Sequence, residues 1–273
     1  MSKNNKIKIL LVGYKSFIQE NLYLRLRKKY KIKKLKFKDL NKDIINNHDL
    51  IINFSNSNFF FKKKYSKKYD RNLIISNLIE KDHIRLIILS TRQVYEPKLF
   101  ITEKSNLKPI NIYAQNALNS ESLCKKKIGS NLLILRLSNV FGLEIGKKKR
   151  PSLTSIIIYG FKKKKIIFDN NYMLYKDFLP VELLCKYIDK LIFQKASGIF
   201  NIGSGIPVLV SDYVNRTVNL KKSKLIIKLK KNFVDKSFCF DTTKLYKFTG
   251  IKINKNKLNS SFNDLRIRLN RNV

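Results

Sequence analysis

Two hydroxyl side chains stand where a proton-transfer reaction would need them. The apolar run 86–89 stops at Ser90, and Thr91 follows it directly. Tyr113 comes after a polar loop, at the start of a helix-like segment. A hydroxyl at the end of a buried strand and a tyrosine on a nearby helix can share one pocket, where they exchange a proton with a substrate hydroxyl or carbonyl group. Ser90-Thr91 and Tyr113 are therefore candidates for a proton-transfer pair, although a tyrosine on an amphipathic helix is more often a packing residue.

Strands and helices alternate along the first half of the chain. Short apolar runs predict strands at residues 6–12, 32–37, 49–54, 84–90 and 131–137. Helical spacing predicts helices at residues 16–29, 69–79 and 112–127. Because parallel strands need crossover connections, this alternation predicts an α/β fold with a Rossmann-like, doubly wound parallel sheet.

The second half is less regular and predicts a smaller, interleaved C-terminal lobe. Helices are expected at residues 151–161, 180–193, 211–218, 242–248 and 260–269, and strands at 166–168, 198–202 and 225–229. No linker rich in Pro, Gly or Ser separates the two halves. We therefore expect residues 1–150 to form the Rossmann-like domain and residues 151–273 a substrate lobe whose segments return to the sheet.

A glycine after the first strand marks a candidate phosphate loop. The segment from Gly13 to Gln19 reads GYKSFIQ, and a strand, a glycine and a helix in this order let helix-terminal amides face a phosphate. The dinucleotide fingerprint contains further glycines. Ser16, which precedes Phe17 and Ile18, is small enough to admit a phosphate, whereas Gln19 is bulky where close packing is expected. An ordinary βα turn explains the pattern about as well.

Charged residues at the end of the second strand bear on the choice of cofactor. Asp39 is the candidate for the acidic residue that binds a ribose 2′-hydroxyl. Lys36 and Lys38 would instead favour a 2′-phosphate, and hence NADP. Solvated charges at the sheet edge are the third interpretation, and the sequence does not separate the three.

The net charge of +39 is the most unusual feature of the composition. A field of this strength attracts any polyanion, including nucleic acid and anionic lipid. The lysines are spread along the whole chain, however, and accompany abundant Asn and Ile, as in proteins encoded by AT-rich DNA. No RNA-binding aromatic signature or zinc spacing accompanies them. We therefore favour compositional drift and expect no specific nucleic-acid partner.

Other protein classes are disfavoured by what the sequence lacks. No apolar run reaches the roughly 18 residues of a membrane span, and the N-terminus lacks a signal-peptide cleavage site. Cys124, Cys185 and Cys239 are far apart, and neither His48 nor His83 lies in a cluster of acidic residues or cysteines. We expect no disulfide framework, no metal site and a cytoplasmic location.

At residues 90–97, STRQVYEP, the chain resembles the extended short-chain dehydrogenase/reductase family, in its nucleotide-sugar epimerase/dehydratase branch. Matching segments follow in the family's order over nearly the whole chain. They include KILLVGYKSFIQENLYLRL, DLIINFSNS, YDRNLIISNLI, LILRLSNVFG, KDFLPVELLCKYIDKLI, GIFNIGSGIPVLVSDYV and FDTTKLYKFTGIK. The resemblance implies an NAD(P)-dependent epimerase, dehydratase or reductase that acts on a nucleotide-activated sugar in surface polysaccharide assembly, and it implies a homodimer.

The resemblance also implies roles for single residues. Tyr113 would exchange a proton with a sugar hydroxyl while hydride moves to or from the nicotinamide, and Thr91 would bond to the same oxygen. Gln93 and Asn139 would contact the substrate, with Asn139 at the nucleotide diphosphate. The implied cofactor-binding residues are Gly13, Ser16, Phe17, Ile18, Asp39, Leu40, Asn53, Ser55 and Asn72.

One position departs from the family's pattern at the proposed site. A lysine four residues after the tyrosine normally lies on the same helix face, binds the nicotinamide ribose and lowers the tyrosine pKa. This chain has Ala117 there, in addition to Ser16 and Gln19 in place of glycines. Two interpretations follow. We favour a working enzyme, and the alternative is a non-catalytic relative that serves as a binding or partner module.

Overall fold

A computed structural model describes residues 6–143, 157, 160, 163–218, 224–228 and 235–271. Its strands are β1 (Lys8–Val12), β2 (Lys31–Leu35), β3 (Leu50–Asn53), β4 (Arg85–Thr91), β5 (Leu132–Leu137), β6 (Asn139–Phe141), β7 (Lys165–Phe168), β8 (Tyr175–Pro180), β9 (Gly198–Ile202), β10 (Pro207–Leu209) and β11 (Lys224–Ile227). Its helices are α1 (Phe17–Leu26), α2 (Lys42–Asn46), α3 (Asn58–Lys62), α4 (Arg71–Leu78), α5 (Ile112–Ile128), α6 (Val181–Phe193), α7 (Val210–Thr217), α8 (Thr243–Thr249) and α9 (Lys255–Arg271).

A six-stranded sheet in the order β2-β1-β3-β4-β5-β9 forms the centre of the fold. The pairs from β2 to β5 are parallel, and in β1 Val12 is the register partner of both Leu35 and Asn53. The inner strands are almost entirely buried, as expected for strands covered on both faces. This architecture confirms the predicted Rossmann-like α/β fold.

The strand order reverses between β1 and β3. The chain leaves β1 for β2 on one side and then crosses to β3 on the other. In open α/β sheets, ligands bind outside the carboxyl ends of the strands at such a reversal. Gly13 and Phe54 follow directly on β1 and β3, and the Phe54 amide donates to the Val12 carbonyl oxygen at 2.7 Å. The fold therefore provides a ligand crevice where the sequence predicts the phosphate loop.

Polar side chains set the starts of the helices that flank the sheet. The Ser16 hydroxyl accepts from the Gln19 amide at α1, and the Asp70 carboxylate accepts from two amides at α4. Asn111 caps α5 in the same way. Such caps satisfy amides that have no partner within the helix and contribute about 1 kcal/mol each. They fix the residue at which each helix begins, and so which residues reach the edge of the sheet.

Contacts divide the chain into two units. The first comprises Met1–Glu96, Glu103–Leu137 and Cys185–Phe200, and the second comprises Pro97–Thr102, Ser138–Leu184 and Asn201–Val273. The domain boundary expected at residue 150 stays a prediction, because that residue lies outside the described ranges.

The second unit contains two small sheets and an aromatic core. The sheets have the strand orders β10-β8-β6 and β11-β7. In the core, the rings of Phe178 and Tyr213 are stacked with centroids 4.0 Å apart. Asp177 is fully buried, and its carboxylate accepts hydrogen bonds from Ser204, Gly205 and Phe240. These bonds satisfy the buried carboxylate and hold the strand ends together.

The structure differs from the sequence prediction mainly in short elements. The strands β6, β8 and β10 and the helices α2 and α3 were not predicted, and β2 ends at Leu35 because a 3₁₀ turn follows over Phe37–Asp39. The helix expected at 151–161 lies almost entirely outside the described residues. Among the residues that the structure describes, no helix is long and apolar enough to cross a membrane.

Candidate active site

Strand β4 carries Ser90 and Thr91 to the carboxyl edge of the sheet. Both side chains are buried. The Thr91 Oγ1 accepts a hydrogen bond from the Gln93 amide at 3.2 Å and thereby caps the 3₁₀ turn Arg92–Val94. In that bond the Thr91 oxygen is the acceptor, so the hydroxyl proton of Thr91 takes no part in it. Thr91 can therefore donate a hydrogen bond to a ligand oxygen.

A side-chain bridge connects this turn to the start of α5. The Asn111 Oδ1 accepts from the Ala114 amide at 2.8 Å, and the Asn111 Nδ2 donates to the Gln93 Oε1 at 2.7 Å. The Ile110 amide also donates to the Gln93 carbonyl oxygen at 3.2 Å. Tyr113, the second residue of α5, is thereby linked to the strand end that carries Thr91. Gln93 makes these bonds itself, and its contact with substrate stays a prediction.

The phenol of Tyr113 lies among aromatic rings and beside a carboxylate. Its ring stacks on Phe61 with centroids 4.9 Å apart and meets the Phe60 ring edge-on at 6.1 Å. Burial, and then the negative charge of Glu121, raise the pKa of Tyr113 to about 12. Ala117, one helical turn on, has no charge with which to oppose this effect. The environment therefore keeps the phenol protonated.

A buried ion pair lies two turns along α5 from Tyr113. The Arg136 Nη2 lies 2.5 Å from the Glu121 Oε2, and Ser90 donates a hydrogen bond to the Glu121 Oε1. Burial lowers the pKa of the Arg136 guanidinium, but its bonds to Glu121 outweigh that effect and the net pKa is raised. The guanidinium also lies 4.7 Å from the centre of the Tyr95 ring. These contacts fix the rotation of α5 about its axis against β4 and β5.

A small cavity lies beside Ala117. Its volume of about 10 Å³ is close to the room that one water molecule needs. Its polar lining residues are Asn56, Asn72, Ser90, Tyr113 and Glu121, and the apolar residues Phe60, Ile88, Leu89 and Ala117 complete a lining that is mainly apolar. The position of the family's lysine thus opens on a narrow, mainly apolar space that contains one paired carboxylate.

A chain of buried hydrogen bonds explains three of the predicted cofactor residues. The Asn53 Nδ2 donates to the Asn72 Oδ1 at 2.6 Å, and the Asn53 Oδ1 accepts from the amide and the hydroxyl of Ser55. The Asn72 Nδ2 donates to the Ser120 Oγ at 3.1 Å, which donates to the Asp70 Oδ1 at 3.0 Å. The structure brings these side chains together, and they tie the end of β3 to α4 and α5. Their contact with a cofactor stays a prediction.

The loop after β1 fits a pyrophosphate. Gly13 has φ +153°, and a Cβ there would lie 3.1 Å from the Phe54 Cβ, so a side chain at this position would be strained. Gln19 is fully buried, and its Nε2 donates to the Leu11 carbonyl oxygen at 3.3 Å. Its bulk is therefore accommodated between α1 and β1. Helix α1 starts at Phe17 and continues with Ile18, so its amide end follows directly on this loop, where the helix dipole favours an anion.

Cations lie at the rim of this loop. The Lys36 and Lys15 Nζ atoms lie 4.6 Å and 5.4 Å from the centre of the exposed Tyr14 ring. Asp39 is exposed in the 3₁₀ turn after β2, and Leu40 packs partly buried against the core of the sheet. The charges expected around a dinucleotide's adenosine half are therefore present, and the residues of this loop fit that half of NAD(P).

Asn139 belongs to the second unit, in β6. Its Nδ2 is buried without a hydrogen-bond partner among the described residues, as is the hydroxyl of its neighbour Ser138. A buried donor without a partner is unfavourable by about 1–3 kcal/mol, so such groups point to a missing partner such as a ligand. The prediction that Asn139 contacts substrate is compatible with this observation.

Sequence reasoning did not find several residues around Tyr113. Phe61 stacks on the tyrosine ring, and Arg136 pairs with Glu121 on the same helix. Asn116 and Ser120 bond that helix to α3 and to Asp70. One signal was available: Asn116 and Ser120 are polar residues at helical spacing on the face that also carries Ala117. The aromatic run NFFF gave no such signal, because its partner on α5 is some fifty positions away.

The sequence profile described as "NAD dependent epimerase/dehydratase family" matches residues 47–203, more than half of the chain. The chain belongs to this family. The matched region contains Thr91, Tyr113 and Asn139, and a comparison with curated proteins finds no match.

Solved structures share the family's fold with this chain at low sequence identity. The chain is similar to a UDP-N-acetylglucosamine 4-epimerase from Methanobrevibacter ruminantium M1 in complex with UDP-N-acetylmuramic acid, with TM-score 0.82, 14% identity and coverage of 98% of this chain and 100% of that one. It is similar to dTDP-glucose 4,6-dehydratase from Bacillus anthracis in complex with NAD, with TM-score 0.76, 18% identity and coverage of 97% of both chains. It is also similar to RMD from Pseudomonas aeruginosa complexed with NADPH, with TM-score 0.74, 17% identity and coverage of 98% and 99%.

Proposed function

We propose that this chain is an NAD(P)-dependent enzyme that reduces a keto group on a nucleotide-activated sugar. The observation that carries the proposal is the position of Tyr113 at the start of α5, where Asn111 and Gln93 link it to the strand end that carries Thr91. Burial and the charge of Glu121 raise the pKa of Tyr113 to about 12, so the phenol keeps its proton near neutral pH and can give it to a carbonyl oxygen.

The cofactor would lie across the carboxyl ends of β1 and β3, where the strand order reverses. Gly13, Ser16, Phe17 and Ile18 would hold its pyrophosphate at the amide end of α1. Leu40 would contact the adenine, while Asp39 would bind a ribose 2′-hydroxyl or Lys36 a 2′-phosphate. The complexes of two similar structures with NAD and with NADPH support this placement. Bound in its reduced form, the cofactor supplies hydride.

The proton balance of the reduction defines the roles of the two hydroxyls. The Tyr113 Oη would give its proton to the carbonyl oxygen that becomes the new hydroxyl, and the bound reduced cofactor would supply the hydride that the carbonyl carbon gains. Thr91 donates a hydrogen bond to the same oxygen, and the tyrosinate regains its proton from water. With its pKa raised to about 12, Tyr113 holds its proton more firmly than an unperturbed tyrosine, which favours the direction in which the phenol acts as the acid.

The substrate is expected to be a nucleoside diphosphate sugar that carries a keto group. Asn139 would contact the diphosphate, and its buried, unpartnered Nδ2 supports that role. The nucleotide-sugar ligands and substrates named for similar structures support the same class of substrate. We place the reaction in the assembly of surface polysaccharides, in the cytoplasm, with the chain acting as a homodimer.

Two measurements test the proposal. Purified protein is titrated with NADH and NADPH, and the absence of binding at millimolar cofactor would refute it. Oxidation of the bound cofactor is then followed with a nucleotide 4-keto-sugar as substrate. We expect turnover that Tyr113→Phe lowers at least about a hundredfold, because the phenolic proton is lost. Wild-type rates in Tyr113→Phe would exclude Tyr113 as the acid.

A second function is favoured by Ala117 itself. Without a lysine at this position, the chain could serve as a non-catalytic binding or partner module of a sugar-modifying complex. In that case Tyr113→Phe would leave the cellular phenotype unchanged while a deletion would not. A deletion-like phenotype for Tyr113→Phe would decide in favour of the enzyme.

A further inference from the structure

We infer that Phe61 and Asn116 are positioning residues of Tyr113: the Phe61 ring packs on the phenol ring, and Asn116 anchors the helix that carries Phe61. Neither residue belongs to the predicted catalytic or binding set. The kinetic part of the inference rests on the proposed function, whereas its geometric part does not. It follows from three contacts that surround the start of α5.

The first contact is the ring stack on Tyr113. The Phe61 ring lies 4.9 Å from the Tyr113 ring at an interplanar angle of 22°, and Phe60 closes the site edge-on at 72°. Phe60 is buried, whereas Phe61 is 43% exposed. A large aromatic side chain that covers a phenol and yet stays exposed to solvent contributes little to the core. Of the ring contacts described for Phe61, the one with Tyr113 at 4.9 Å is closer than the one with Phe60 at 6.4 Å.

The second contact fixes the helix that carries the phenylalanines. Asn116 is 2% exposed, and its Nδ2 donates to the Phe60 carbonyl oxygen at 2.9 Å and to the Lys63 carbonyl oxygen at 2.8 Å. Both N–H groups of one amide are thus used at the carboxyl end of α3. Because Asn116 lies one turn after Tyr113 on the same helix, it joins α3 to α5 next to the phenol.

The third observation is that α3 needs such anchors. It has five residues, and isolated helices of this length are not stable in water. Its amino end is held by Ser57, whose hydroxyl accepts from the Phe60 amide and donates to the Tyr69 carbonyl oxygen at 3.1 Å. The two hydrogen bonds from Asn116 hold the carboxyl end of α3 to α5, in addition to the packing of Phe60 and Phe61 on Tyr113.

The chain offers a matched control on the same helix. Phe59 stacks on Tyr69 with centroids 4.2 Å apart and an angle of 11°, and it is 39% exposed. Phe59→Ala therefore removes a ring of the same size and exposure that does not touch Tyr113. If Phe61 were only a surface packing residue, Phe61→Ala and Phe59→Ala would have the same effects.

The test measures the ionisation of Tyr113 and the steady-state kinetics in both variants. The pKa of Tyr113 is measured from tyrosinate absorbance against pH. For each variant, the titration of the same variant with Tyr113→Phe added is subtracted, which removes the absorbance of the other tyrosines. In Phe61→Ala we expect this pKa to fall by about one unit, because the phenol gains water. We expect kcat to fall about tenfold with KM within about twofold, because the proton donor is misplaced while binding is retained.

Two further variants define the role. Phe61→Tyr keeps the ring, so its Tyr113 pKa and its kcat should both stay at the wild-type values. Asn116→Ala, if circular dichroism shows that it folds, should lower the Tyr113 pKa and kcat as Phe61→Ala does. Equal changes in Phe61→Ala and Phe59→Ala, or an unchanged Tyr113 pKa in Phe61→Ala, would overturn the inference. A Tyr113 pKa that differs between Phe61→Ala and Phe59→Ala supports the positioning role even if the wild-type chain reduces no keto-sugar. Failure of the proposed function can therefore be told apart from failure of this inference.

Discussion

Returning the lysine at position 117 should lower the pKa of Tyr113. Ala117 lies one helical turn after the tyrosine and lines the same cavity, so a lysine there extends toward the phenol. The present pKa of about 12 arises from burial and from Glu121, with no opposing cation contributing among the described residues. Ala117→Lys supplies that cation.

The size of the effect follows from Coulomb's law. A unit charge about 5 Å from the phenolate, at an effective dielectric constant of about 20, stabilises it by about 3 kcal/mol. This energy corresponds to about two pKa units, so we expect the pKa of Tyr113 to fall to about 10. The ionised fraction near neutral pH then rises about a hundredfold. Oxidation of a sugar hydroxyl, which needs the phenolate, should rise by a similar factor.

Tyrosinate absorbance measured against pH, with and without Tyr113→Phe, reports this change. Ala117→Met is the control, because methionine fills similar space without a charge, and it should leave the pKa at its present value or raise it. An unchanged Tyr113 pKa in a folded Ala117→Lys variant would refute the electrostatic reasoning. Equal shifts in the lysine and methionine variants would show that packing at position 117, and not charge, controls the phenol.

Three further predictions concern the surroundings of the site. Arg136→Met leaves the Glu121 carboxylate buried and unpaired, so the free energy of unfolding in urea should fall by about 3–5 kcal/mol, and adding Glu121→Gln should restore part of it; no restoration would contradict the pair's role. Because the pKa of Tyr113 is raised from 10.0 to about 12, the folded state loses stability as the pH rises from about 10 to about 12, and Tyr113→Phe should remove about 2–3 kcal/mol of that loss. If the urea midpoints of the wild type and of Tyr113→Phe fall in parallel between pH 10 and pH 12, the raised pKa of Tyr113 is excluded. In the wild-type background, Gln93→Ala should lower the free energy of unfolding by about 0.5–1.5 kcal/mol. In an Asn111→Ser background, where the helix cap is kept but the bridge to Gln93 is already removed, the same substitution should have almost no effect. Additive effects in this double-mutant cycle would argue against the bridge.

The fold was predictable because its central strands are buried on both faces. Such strands appear in sequence as short continuous apolar runs, and the runs at β1, β3, β4 and β5 were found within one or two residues. Helix α5 was also found closely, since Asn111 gives it a cap and its buried residues repeat at helical spacing. Helix α3 and strands β6 and β10 were missed because elements of three to five residues carry no detectable period.

The candidate site was only half predictable, for a related reason. Thr91 and Tyr113 could be predicted as site residues because each lies at the end of a recognisable element, and their roles stay a prediction. What sets the chemistry of Tyr113 comes from side chains that are distant in sequence, as with Phe61, or from burial, which no local pattern reports. Gln19 illustrates the same limit. Its bulk was evident, but its bond to the Leu11 carbonyl oxygen, which accommodates it, required the structure.

The contacts that fix the rotation of α5 determine which of its side chains can face Tyr113. Glu121 is fixed to Arg136, Ser120 to Asp70 and Asn116 to α3, so the helix does not turn to bring another of its side chains beside the phenol. The lysines near its carboxyl end, at 125–127, are exposed and lie more than three turns after Tyr113. A cation introduced at position 117 would therefore act on the phenol from a helix whose other contacts stay in place.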